Sequence, residues 1–212
     1  MEHGLIRHDF TSGRMTVTAN AWLPDWSGKA VIFLPYDIDG YHASRYAAAH
    51  LIREGIGVVA AAPSRQEHDG WRFIHYAEML IDSLAEEYGI NSIGLLGKGP
   101  RAWDALVAAG RCSGEYPIER IVTWMSPGDY RDDGRNFLHI HEESLFSLRE
   151  CGVRHLNVHD AGSDPTKGIN EDPYRLMCSA GGELRFTSAA VPRKELMSEI
   201  TSFFTGAATR SF

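Results

Sequence analysis

The stretch "GLLGKGPRAWDALVAAG", residues 94–110, carries the fold in miniature. It opens as an apolar run, turns at "GKGP", and from Pro100 onward spaces its apolar residues as one face of a helix. A strand that passes through a glycine turn straight into a helix is the corner unit of a sheet whose parallel strands are joined by helical crossovers.

The rest of the chain repeats that unit. Upstream, "GKAVIFLPYD" (28–37) is nearly continuous in apolar residues, the mark of a strand covered on both faces. Before it, "RMTVTANAWLP" (14–24) alternates as a half-buried strand does and follows the turn "TSG", which predicts an edge hairpin. Ser44 is placed to cap a helix through "RYAAAHLIRE" that stops at Gly55, and "GVVAAAP" is the next buried strand. Ile74, Ala77, Ile81, Leu84 and Tyr88 recur at helical spacing up to Gly89, and "SIGLLG" then leads into the opening stretch. Downstream, "ERIVTWM", "GVRHLNVHD" and "GELRFTS" are three further strands, and "PRKELMSEITSFF" is a closing helix. The pattern predicts an α/β protein with a mainly parallel central sheet flanked by helices, as a single domain over residues 1–212. Ligands of such sheets bind outside the carboxyl ends of the strands, so the residues just after each strand are the ones to examine.

Bulk properties narrow the partners. A net charge of −7 with no Lys or Arg run argues against nucleic acid or an anionic membrane, and more easily accommodates a neutral or cationic small molecule or peptide. The first residues, "MEHGLIRHDFTSG", have charges where a signal peptide needs an apolar core, and no run approaches about 18 consecutive apolar residues. A cytoplasmic protein is expected. Cys112, Cys151 and Cys178 are odd in number and widely spaced, which predicts reduced, structural thiols rather than a metal or redox motif. No cofactor or metal is expected, and oligomeric state is not encoded in any recognisable motif.

On "VIFLPYDIDG", "GVVAAAP", the turn "GLLGKGPRA" and "HLNVHDAGSD", the chain resembles the α/β-hydrolase superfamily, in particular its dienelactone hydrolase-like branch, over nearly its whole length. The resemblance implies an α/β-hydrolase fold. In that family the turn reads G-x-S-x-G or G-x-C-x-G and lifts a nucleophile to a helix N-terminus. Laid on "GKGPR", the nucleophile position is Gly99, the next residue is Pro100, and the last glycine is Arg101. Gly99 has nothing to attack with, and Pro100 has no N–H to give an oxyanion hole. The alternative register makes Ser126 of "WMSPG" the nucleophile, although it lacks the small residue before it and the apolar helix after it. The family's acid falls on Asp164, and its histidine falls near Val191; no histidine follows His159 anywhere in the chain. An acid with no imidazole to orient cannot run acyl transfer by general base catalysis.

Three residues are candidate acid–base groups. Asp37 of "PYDIDG" falls where the dienelactone branch carries a glutamate close to its nucleophile, and a partly desolvated carboxylate there can transfer protons. The rival role for Asp37 and Asp39 is capping the next helix. His159 ends a strand on the same rim, with a satisfied structural bond as its alternative role. Asp164, in "SDPT", suits a turn equally well. Tyr36, Lys98, Gly99, Pro100, Arg101 and Ser126 surround the expected pocket and are the candidate substrate contacts. Trp124 and Met125 are core residues by default, close to that rim. The helix at Pro100 is expected to turn the N–H groups of Arg101 and Ala102 toward a bound carbonyl or carboxylate. "HIHEE" would put His139 and His141 on one side if extended, but no second cluster completes a metal site, and a loop or helix entry is expected. Small triad-less members of the superfamily, such as the bottromycin epimerase-like group, are similar in lacking a nucleophile. That resemblance implies non-hydrolytic epimerisation, isomerisation or cyclisation of a peptide-like or polyketide-like intermediate. The alternatives are an inactive ligand-binding protein and a hydrolase using an unrecognised serine or cysteine.

Overall fold

The structure is a computed structural model, and it describes residues 6–12, 15–23, 28–35, 48–61, 70–125, 137–160, 183–187 and 193–206. Eight strands form one sheet in the order β1-β2-β4-β3-β5-β6-β7-β8. They are β1 (Ile6–Ser12), β2 (Met15–Trp22), β3 (Lys29–Leu34), β4 (Gly57–Ala61), β5 (Ser92–Lys98), β6 (Ile118–Met125), β7 (Arg154–Asp160) and β8 (Glu183–Thr187). The expected edge hairpin is present as β1 and β2, paired antiparallel from Ile6↔Ala21 to Ser12↔Met15. β2 also runs against β4, whereas every pair from β4 to β8 is parallel.

Among the described residues, five helical segments accompany the sheet: α1 (residues 48–53), α2 (Gly70–Glu86), α3 (Arg101–Cys112), α4 (Phe137–Glu150) and α5 (Arg193–Thr205). Gly55 and Gly89 follow α1 and α2 at φ 76° and 63°, where the sequence placed both stops. Ser44, the expected cap of α1, lies outside the described residues. "HIHEE" falls in α4, where residues two apart are turned about 200° from each other, so the extended arrangement that would pair His139 with His141 is not realised.

Alternation along the strands divides the core between the two faces of the sheet. Ile32, Leu95 and Ile121 pack with Leu80, Leu84, Leu106 and Leu145 on the α2–α3–α4 side. Val31, Leu96, Val122 and Trp124 pack with Leu51, Met197, Ile200 and Phe204 on the α1–α5 side. Covered on both faces, β3 and β4 are buried from Ala30 to Leu34 and from Gly57 to Ala61, which is why both read as continuous apolar runs. Among the described residues no helix is long and apolar enough to cross a membrane.

Candidate functional site

The carboxyl ends of β3, β5, β6 and β7 lie side by side, bringing Leu34, Lys98, Met125 and His159 to one rim of the sheet. The strand–turn–helix corner predicted from the opening stretch is at its centre. β5 ends at Lys98, Gly99 turns at φ 62°, Pro100 adopts helical angles at the cap position, and α3 starts at Arg101. The left-handed conformation at Gly99 strains any residue with a Cβ. Gly97 is fixed for a different reason: a Cβ there would stand 2.6 Å from the Cα of Ala102, so the first turn of α3 closes directly over the strand end. The Gly99 N–H donates to the Trp124 carbonyl at 2.8 Å, tying the turn to β6.

The start of α3 differs from the expected one, in which the N–H groups of Arg101 and Ala102 turn toward a ligand. The Ala102 N–H does not face a ligand; it donates to the Gly99 carbonyl at 2.9 Å, and the Trp103 N–H donates to the Pro100 carbonyl at 3.3 Å. The cause is local: helical angles at Pro100 tighten the first turn to i→i+3 bonding, which takes up donors that a looser helix start leaves available. With Pro100 having no N–H at all, the start of α3 keeps its dipole but has little left to donate.

The side chains around the turn go separate ways. Arg101 is buried: its guanidinium lies 3.2 Å over the Phe73 ring of α2 and donates to the Asp104 carboxylate at 2.7 Å. Its charge is thus matched within α3, and its stem fills the corner between α2 and α3. Lys98 is half-buried on the opposite face, its ammonium 4.7 Å from the centroid of the Trp124 ring. Trp124 is 7% exposed, and its indole N–H has no hydrogen-bond acceptor among the described residues. Pro100 is exposed and Gly99 half-buried, so the tip of the turn is open to the region above the sheet.

His159 occupies the penultimate position of β7, beside Met125 and Phe186, with none of its surface exposed. That is the setting of a structural histidine more than of one that meets substrate. Further down β7, and on the same face by alternation, a buried polar row was not anticipated from the sequence. The Thr123 hydroxyl bonds His155 Nε2 at 2.8 Å and donates to Asn157 Oδ1 at 3.2 Å. Burial holds His155 down at about 4, so it is neutral. The only sequence signal for this row is that polar residues alternate with Leu156 and Val158 in "HLNVH". Tyr36, Asp37, Ser126 and Asp164 lie outside the described residues. Among the thiols, Cys112 is at the far end of α3, about 16 Å along the helix from the turn. Burial and then Glu78 push it up to about 12, which removes it as a nucleophile. Cys151 is exposed just beyond α4, and Cys178 lies outside the described residues.

No protein-family model and no curated protein sequence matches the chain. Solved structures do match. A dienelactone hydrolase from Anabaena variabilis is similar at 13% identity and TM-score 0.69, over 96% of this chain and 97% of that one. Carboxyl esterase 2 from the mycorrhizal fungus Tuber melanosporum is similar at 14% identity and TM-score 0.64, over 98% of this chain and 88% of that one. The thioesterase domain from the curacin biosynthetic pathway is similar at 10% identity and TM-score 0.62, over 95% and 99%. The fold is therefore the α/β-hydrolase fold, as the sequence resemblance implied. At these identities the likeness extends to the fold and no further.

Proposed function

We propose that the protein is an enzyme of the α/β-hydrolase fold that works without a nucleophile, catalysing a non-hydrolytic epimerisation, isomerisation or cyclisation of a peptide-like or polyketide-like small molecule. The observation that carries this reading is Gly99 at the left-handed tip of the β5–α3 turn, followed by a residue with no N–H. A turn with that geometry and no side chain at its tip leaves space for a ligand group where a serine hydrolase holds its Oγ. The absence of any histidine after His159 adds to it, since a serine introduced elsewhere on the rim still lacks the family's base. The chemistry that remains is proton transfer next to a carbonyl, with Asp37 removing or returning the proton and the positive end of α3 favouring the enolate.

Two experiments test the reading. Incubation with a fluorophosphonate and with iodoacetamide, followed by peptide mass spectrometry, is expected to leave the rim unlabelled; a stoichiometric adduct on Ser126 would restore the hydrolase alternative. Incubation in D2O with short peptides and β-keto thioesters is expected to incorporate one deuterium at the acidic carbon, and Asp37→Asn to abolish it. Binding of such a compound with no exchange would instead identify a ligand-binding protein that has lost its chemistry.

A further inference from the structure

We propose that Lys98 and the indole N–H of Trp124 form a carboxylate-binding subsite, so that the molecule handled at this rim is a carboxylic acid. The inference rests on the reading that the carboxyl end of β5 is a ligand site and adds to it the charge of the ligand. The two residues are register partners, the last of β5 and the next to last of β6, and both side chains belong to the α1–α5 face. Two unusual features coincide there. Trp124 is more than nine-tenths buried with its N–H lacking an acceptor among the described residues. Lys98 has an aromatic face and no carboxylate as its partner among the described residues, in a protein of net charge −7.

Each feature has an energetic sign. A buried N–H left without an acceptor is destabilising. An ammonium over an aromatic face recovers part of its lost hydration and still has N–H groups to donate. Both are relieved by one acceptor with two oxygens. The ammonium stands 4.7 Å from the ring centroid, so a carboxylate that accepts from Lys98 is beside the same indole whose N–H lacks an acceptor among the described residues. A single cation and a single neutral donor match one negative charge. A phosphate dianion needs more donors, and the adjacent helix start has already committed the Ala102 and Trp103 N–H groups.

The test uses the indole N–H itself. In ¹⁵N-labelled full-length protein, the Trp124 indole resonance is assigned by its loss in Trp124→Phe, and the Gly99 amide serves as an independent reporter of the rim. Titration to tens of millimolar with benzoate is expected to move both signals in a saturable way. Benzamide is expected to move Gly99 while shifting the indole less than a third as far. Lys98→Gln is expected to weaken benzoate binding at least fivefold and Lys98→Arg to retain it. Inorganic phosphate moving the indole more than benzoate does would overturn the carboxylate assignment in favour of a phosphoryl group. Gly99 responding to benzoate and benzamide alike, with the indole silent, would overturn the subsite and leave the ligand site standing. Silence of both signals to every probe would overturn the two readings together.

Discussion

At Gly99 a serine would have to hold φ near 62°, a conformation that costs a residue with a Cβ about 1–2 kcal/mol. Gly99→Ser is therefore expected to lower stability by about that amount in urea titrations. It is also expected to bring no hydrolysis of 4-nitrophenyl acetate, because no histidine follows the last strand. Appearance of an ester turnover that fluorophosphonate blocks would mean that another base serves the turn. His155 gives a separate, pH-dependent prediction. Folding lowers it from an ordinary value near 6.5 to about 4, so the unfolded chain binds the proton first. The stability tied to neutral His155 is complete above pH 6.5 and is lost as pH falls toward 4. At pH 5 the loss is about 2 kcal/mol. His155→Gln, which keeps a donor for Thr123 but does not titrate, should lose correspondingly less between pH 7 and pH 5. An unchanged acid limb in that variant would place the effect elsewhere.

Among the elements, α3 shows best what was legible beforehand and what was not. Its start at the glycine turn was read from Pro100 and the spacing of apolar residues, because both signals are local. So were β3 and β4, whose continuous apolar runs follow from burial on two faces, and the stops of α1 and α2 at glycine. Other facts depend on how elements dock. That Ala102 donates back to Gly99 depends on the angles Pro100 adopts, which the residue type permits without requiring. That Arg101 lies on Phe73 depends on the docking of α2, and that Lys98 meets Trp124 depends on the β5–β6 register. None of these pairs is marked by spacing along the chain, so Trp124 could be read only as a core residue near the rim. The contact between the end of β5 and the first turn of α3 yields its own prediction. Gly97→Ala places a Cβ against backbone atoms that cannot give way, and is expected to cost about 2–3 kcal/mol by chemical denaturation. A neutral result would show that the turn can lift from the strand.

For the molecule as a whole, the sheet separates two apolar layers that do not share side chains. Ile81 of α2 belongs to one and Ile200 of α5 to the other, and both are fully buried. Trimming each to valine should cost about 1 kcal/mol. The double variant should lose the sum to within about 0.5 kcal/mol, in a single unfolding transition. Two separated transitions would contradict the reading of residues 1–212 as one domain.

Burial along α3 is nearly complete, with Arg111 the exception between Arg101 and Cys112. A helix enclosed in this way has no side from which it can fray without breaking open the layers around it. Its amide protons, from Leu106 to Ala109, should therefore exchange with solvent only when the entire chain unfolds. Because the Gly99 turn is bonded to this helix and to β6, the left-handed tip of the turn inherits the same slow clock.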